Sequence, residues 1–183
     1  MENFEQLCQV RRSVRKYQHL PVEQEKLDYI LRCALMSPSG KRVNPWEFYV
    51  VKNEDMIRKM AACRDFGSGM FNTAMAAIVV ALDASLTDVW MPDGAIAAQN
   101  ILLAATEQGL GACWCHIYGR YSEHKEEGRE TVERVSAEQY IKNLVGIPEN
   151  MSVLCVISLG YKDEERKPYD FEKLLYNKIH TIE

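Results

Sequence analysis

The sequence has little that would carry it into a membrane or onto a polyanion. Its best apolar run, Ala74 to Leu82, is strand length and far short of the roughly 20 residues a membrane helix needs. Positive charge is not in excess: 22 lysines and arginines face 26 aspartates and glutamates, a net charge of −4, which argues against nucleic acid and acidic membrane surfaces as partners. The opening residues Met1 to Glu5 lack the basic start and apolar stretch of a secretory leader, so a cytoplasmic location is expected. Catalytic signatures are missing too. There is no H-E-x-x-H, no P-loop, no Ser-His-Asp order and no paired-carboxylate pattern. The six cysteines at 8, 33, 63, 113, 115 and 155 form no C-x-x-C, and no Cys/His grouping has zinc spacing. They read as reduced, mostly buried small hydrophobes, with a metal or redox role for the alternating pair Cys113 and Cys115 as the minority alternative.

What is present is an ordinary globular composition, 47% hydrophobic and 26% charged, over 183 residues: one domain, without repeats, low-complexity segments or linkers. Helices are expected at about 2–10 and from Pro21 to Met36, the latter with Leu27, Ile30, Leu31, Ala34 and Leu35 on one face. Strands are expected at 46–51, 77–82, 112–118 and 152–159, the second apolar throughout and so buried on both sides. Asn53 is placed to cap a short helix to about Cys63, and Ser136 with Gln139 to open another that reaches Val145. Between the second and third strands, Pro92 to Gln108 is apolar nearly all round and is expected to be a central buried helix. Residues 119–138 are the polar part of the chain, and within them His124 to Glu130 is expected to form a solvated loop or exposed helix. The tail from Tyr161 mixes charges with aromatics and is expected to pack on another subunit. The order of elements gives an α+β layer sandwich.

Three stretches carry chemistry. The first is Arg11-Arg12-Ser13-Val14-Arg15-Lys16, whose guanidinium forks and hydroxyl suit a phosphate monoester. Taken alone, it is at least as consistent with a solvated basic turn. The second is Ser37-Pro38-Ser39-Gly40-Lys41-Arg42-Val43-Asn44-Pro45-Trp46, a proline-bracketed loop more decorated than a connection requires and able to offer amides and a cation to a flat ring. The third is Gly109-Leu110-Gly111-Ala112-Cys113-Trp114-Cys115-His116, which is not a dinucleotide fingerprint but brings backbone close to something. A phosphate clamp and a ring-sized loop without a nucleophile or metal cluster point to a cofactor that carries the chemistry itself.

Together these stretches resemble the nitroreductase family. Arg11 to Tyr17 is similar to its R-R-S-x-R-x-[FY] signature, and 38–48 to its P-S-x-x-N-x-Q-P-W-x-F loop. Ala98-Gln99-Asn100 to Trp114 is similar to its A-x-Q-N-x-x-L-A-A helix and G-L-G-x-x-W, and Leu159 to Pro168 to its L-G-Y-x-x-E-x-x-K-P ending. The resemblance implies an α/β/α sandwich with a central mixed, mainly antiparallel sheet in an intertwined homodimer. It also implies FMN at the subunit interface, NADH or NADPH as electron donor, and ping-pong reduction of a small oxidant such as a nitroaromatic, quinone or activated alkene. Alternatives within the fold are a dehalogenating, flavin-fragmenting or ring-oxidising enzyme, or a redox sensor without turnover.

Carried over, Arg11, Arg12, Ser13 and Arg15 would hold the FMN phosphate and ribityl chain, with Lys167 as a further cation. Pro38, Ser39 and Gly40 would line the ring from the partner subunit, and the backbone of Trp114, Cys115 and His116 would pass near flavin N5 and O4, with Asn72 as another polar contact. The resemblance also implies a single FMN-binding domain over 1–183; the charged 119–138 segment looks longer than in compact members and is expected to act as a lid, and the tail 162–183 is expected to pack in the dimer. Three positions depart from the family pattern. Arg42 stands in place of the usual Asn, where it would favour the anionic reduced flavin, Asn44 in place of Gln, and His116 in place of a common Gly.

Overall fold

The computed structural model describes residues 3–125 and 132–183. Helix α1 spans Phe4–Val10, and the side chain of Asn3 caps it by accepting the Gln6 amide at 2.9 Å. Helix α2, Gln24–Leu35, begins three residues after Pro21: Glu23 at its N-cap has an extended backbone, and its carboxylate accepts from the Tyr161 hydroxyl (2.6 and 2.7 Å) and not from a helix amide. Its buried stripe is Leu27, Ile30 and Ala34, while Leu35, expected on that face, is exposed. Strand β1 is Trp46–Val51, and helix α3, Glu54–Met60, is capped by Asn53, whose side chain accepts from the Met56 amide at 3.0 Å. Then follow β2 (Ala76–Asp83), α4 (Trp90–Glu107) and β3 (Gly111–His116). A hairpin of β4 (Tyr121–Lys125) and β5 (Val132–Ser136) leads to α5 (Ala137–Val145) and β6 (Met151–Gly160).

Strands β1, β2, β6 and β3 form one sheet in that order, antiparallel in each of its three ladders. A parallel element enters as the isolated bridge Ser13–Ala112. Side chains alternate between two apolar layers, as the pleat requires. Ile78, Val80, Leu82, Ile157 and Leu159 face α2 and α4, whereas Ala77, Val79, Ala81, Val153 and Val156 face α3 and α5. This explains why β2 and β6 are apolar at nearly every position: the sheet is covered on both sides.

Two expectations need correction. Of the segment expected at 124–130 as loop or exposed helix, the described residues His124 and Lys125 are strand: β4 and β5 pair from Tyr121–Ser136 to Lys125–Val132. Charged side chains hid the pattern, since such a strand is held by backbone pairing and by the Arg134 guanidinium, 4.2 Å over the Tyr121 ring. His124 and Lys125 lie at the end of β4. The rest of that expected segment, residues 126–130, lies outside the described residues, and with it much of the basis for a lid.

Nor is α4 buried all round. It lies across one face of the sheet, which covers Ala97, Ala98, Ile101, Leu102 and Ala105. The opposite stripe of Met91, Pro92, Ala95, Ile96 and Gln99 faces outward, with Ile96 and Met91 each 41% exposed. Among the described residues no helix is long and apolar enough to cross a membrane.

Candidate functional site

The basic N-terminal stretch is laid along the start of β3. The Val14 amide donates to Ala112 O at 3.0 Å, and Ser13 bridges Ala112. Gly111 permits this approach: a Cβ there would stand 2.7 Å from Val14 Cγ1. Val14 and Tyr17 turn into the core, and the residues between and before them stay outside. The Tyr17 hydroxyl donates to Val14 O at 2.5 Å and accepts from Ser158 Oγ at 2.7 Å, with Cys113 O at 3.3 Å as the alternative acceptor for the Ser158 proton. Burial holds the Tyr17 phenol well above its ordinary titration range, so the hydroxyl remains a donor.

The C-terminal segment then folds back over this stretch. The Asp163 amide donates to Lys16 O (3.0 Å), the Gln18 amide to Tyr161 O (2.9 Å) and the Tyr169 amide to Gln9 O (3.0 Å). Arg12 Nη1 donates to Lys167 O at 2.6 Å, and the Arg12 guanidinium sits 4.4 Å over the Tyr169 ring, whose hydroxyl accepts from Arg11 Nη2 at 3.5 Å. Arg15 is exposed, and its amide donates to Glu164 Oε1 at 2.6 Å. Residues 162–168 line a cavity of about 580 Å3 beside these cations. Thus Arg11, Arg12, Ser13, Arg15 and Lys167 converge, although Lys167 meets Arg12 through its carbonyl and not its ammonium. Asn72 ends the turn Gly69–Asn72 and is exposed; its neighbour Thr73 accepts the Tyr17 amide at 3.3 Å, which sets Asn72 beside the same stretch.

Glu164 was given no role from sequence, although it is the acidic position of the L-G-Y-x-x-E-x-x-K-P ending. Burial would raise its pKa, but the Arg15 amide and the Arg166 guanidinium (2.7 Å) outweigh that and hold it below the ordinary carboxylate value. It is an ionised clasp between the basic stretch and the tail.

Along β3 the side chains split. Cys113 and Cys115 share one face, as alternation demands, and Cys115 Sγ donates to Gly67 O at 3.5 Å. Trp114 and His116 are half-buried on the other face with their rings near-parallel, centroids 6.2 Å apart. Desolvation first, and then the charges of Arg120 and Arg64, hold the His116 imidazole below its ordinary pKa of 6.5.

The Pro38–Asn44 loop lies elsewhere. Gly40 donates its amide to Asp93 Oδ1 at 3.0 Å in the first turn of α4, while the other carboxylate oxygen of Asp93 is buried without a partner among the described residues. Ser39 Oγ donates to Asn44 Oδ1 (2.7 Å) and accepts the Asn44 amide (2.9 Å). Lys41, Arg42 and Asn44 have φ of 53°, 59° and 51°. A left-handed backbone at two successive cationic residues is strained, and strain of this kind gathers at binding loops. Pro38, Lys41, Arg42 and Asn44 are exposed and Ser39 and Gly40 half-buried.

Gly40 touches the start of α4, whereas the basic stretch lies beyond its end. From Asp93 to Glu107 the helix alone spans about 21 Å at 1.5 Å per residue. Within one protomer the loop and the cations therefore stand far apart. Asn100, of the Gln-Asn pair in α4, is a strut: its Nδ2 donates to Ser37 Oγ at 2.8 Å.

Comparison with known proteins agrees with this architecture. The family model described as the nitroreductase family matches residues 9–64 and 64–161. A protein of Archaeoglobus fulgidus provisionally named NADH dehydrogenase/NAD(P)H nitroreductase is 37% identical over 174 residues, covering 93% of this chain and 91% of its own. One of Methanothermobacter thermautotrophicus with the same name is 40% identical over 157 residues, covering 84% and 74%. The solved structure of an FMN-dependent nitroreductase from Clostridium difficile R20291 superposes with a TM-score of 0.88 at 38% identity, covering 97% of this chain and 98% of that one. By sequence and by fold, this chain belongs to the nitroreductase family.

Proposed function

We propose that the chain is an FMN-dependent oxidoreductase that takes electrons from NADH or NADPH and passes them to a small oxidised compound, such as a nitroaromatic, quinone or activated alkene, in ping-pong order. The observation that carries this reading is the convergence of Arg11, Arg12, Ser13 and Arg15 on one sheet edge with a cavity beside them. The donor set fits a phosphate monoester: guanidinium forks and a hydroxyl, half-buried or exposed, fixed from behind by Val14 and Tyr17. The FMN-dependent nitroreductase from Clostridium difficile R20291, 38% identical to this chain, supports the identity of the ligand.

When bound, FMN supplies the hydride and electron chemistry. The chain's own residues do the rest. The three arginines neutralise the phosphate. Glu164 keeps the Arg15 backbone in place, and Tyr17 anchors the whole stretch. The β3 backbone at Trp114 to His116 offers amides at a half-buried edge, and the stacked Trp114 and His116 rings help exclude water.

Two observations favour a homodimer as the working unit. The ring-sized loop cannot reach its own protomer's cations along α4, so a second copy must bring it there, and α4 leaves an apolar stripe uncovered. A phosphate site at one end of α4 and a loop at the other make two complete sites only when two chains pair.

The test is a spectrum of the purified protein. Bound flavin is expected, bleached by NADH or NADPH and restored by a nitro compound, with a dimeric mass in solution. Colourless protein that fails to take up added FMN overturns the reading.

A further inference from the structure

A second set of cations meets where no sequence motif announces one. Arg64 follows the turn Ala61–Cys63, Arg120 follows β3, and Arg134 lies on β5; with Asp65, Phe66 and Tyr121 they line a surface cavity of about 220 Å3. Gly119, at φ 65°, turns the chain so that the Arg120 amide closes onto Ile117 O at 3.0 Å. Arg64 Nη1 donates to His116 O at 2.8 Å, which fastens the cavity to the end of β3 that carries the candidate site.

Among the described residues lining this hollow, three are cationic and one is acidic. Gathering guanidinium groups costs Coulomb energy, and a concave surface concentrates the resulting field, so an anion is the ligand that relieves it. After desolvation, the charges of Arg120 and Arg64 also disfavour protonation of the His116 ring. The volume is below the about 300–1,000 Å3 of a pocket for a whole drug-sized ligand, and it suits one charged end of a molecule. An aromatic face is at hand, since Arg134 already lies over Tyr121 and Phe66 is 85% exposed.

We propose that this cavity is an oxyanion subsite, taking the carboxylate, phosphate or sulfonate end of a substrate whose redox-active part lies at the end of β3. The subsite rests on the redox reading above and deepens it. Such an end could belong to the oxidant or to the 2′-phosphate of the nucleotide donor, and the arms of the test separate the two.

The FMN-loaded protein is dialysed to equilibrium against 4-nitrobenzoate and against its neutral isostere 4-nitrobenzamide. In parallel, the rate of flavin bleaching is compared for NADPH and NADH. In Arg120→Ala and Arg134→Ala the binding ratio of acid to amide falls about tenfold or more if the oxidant supplies the oxyanion. The NADPH to NADH ratio falls instead if the donor supplies it. Arg120→Lys, which keeps the charge, retains most of the selectivity and controls for folding. Raising ionic strength erodes the preference of the parent protein. If neither ratio moves in either variant, the subsite does not exist. Binding is read without turnover, so an enzyme that fails to bleach with either nucleotide refutes the redox reading while the dialysis still judges the cavity.

Discussion

Removing one buried hydroxyl, in Tyr17→Phe, tests how the basic stretch is held. Tyr17 is 4% exposed and Ser158 fully buried. The phenol serves Val14 O and Ser158 Oγ together, at 2.5 and 2.7 Å. Phenylalanine keeps the ring and leaves no cavity, so the cost is that of polar groups left without a partner. Without the phenol, Ser158 Oγ turns its proton to Cys113 O, 3.3 Å away, which makes the Val14 carbonyl the chief loser. A buried acceptor left unsatisfied costs about 1–3 kcal/mol, and we take about 2 kcal/mol. For a domain of this size that lowers Tm by about 4–8 °C. Urea denaturation at fixed protein concentration measures the change, because stability of an assembling chain depends on concentration. Ser158→Ala in the same background removes the other partner, so the double variant should lose about 1 kcal/mol less than the sum of the singles. A Tyr17→Phe loss under about 0.5 kcal/mol, or strict additivity with Ser158→Ala, refutes the network as the anchor.

Arg15→Ala leaves the Glu164 contact to the Arg15 amide intact, so flavin affinity should fall by about 1.5–3 kcal/mol with little change in apoprotein stability; flavin fluorescence titration reads it, and undiminished affinity removes Arg15 from the phosphate site. Gly111→Ala presses a Cβ to 2.7 Å from Val14, which should cost about 1–3 kcal/mol of stability and weaken FMN by displacing Ser13 and Arg15. Asp93→Ala frees the Gly40 amide and should loosen the strained 38–44 loop, read as faster proteolysis there with α4 still formed. His116 carries a depressed pKa, so the unfolded chain protonates first as pH falls through about 6.5, and stability contributed by the neutral imidazole is lost from there down through its folded value. His116→Gln should flatten the difference in urea midpoint between neutral and mildly acidic pH, and an unchanged difference assigns the slope elsewhere.

Much of the fold could be read from the chain because its signals are local. Asn53 caps α3 because a short acceptor side chain before a helical run has one good use. Trp46–Val51 is a strand because β-branched and aromatic residues suit a pleated surface, and β2 is apolar from Ala76 to Leu82 because both its faces are covered. The N-terminal stretch showed which residues would converge: Arg11, Arg12, Ser13 and Arg15 act as one unit since Val14 among them and Tyr17 just after them are pulled inward. Where local signals misled, distance along the chain was the cause. The apolar circumference of α4 suggested complete burial, yet one sheet can cover only one side of a helix. The charged residues near 121–136 masked a hairpin whose pairing is carried by backbone.

The sequence by itself determined which segments would become helix or strand, where the phosphate-sized cluster of cations would lie, and which family the chain joins, because each of these depends on neighbours a few residues apart. Only the tertiary structure decided that Glu164 clasps Arg15 across about 150 residues. It alone set the Gly40 loop at the far end of α4 from its own protomer's cations, and gathered Arg64, Arg120 and Arg134 around one hollow. Such encounters follow from how the layers stack and where the chain turns, and no pattern of adjacent residues encodes them.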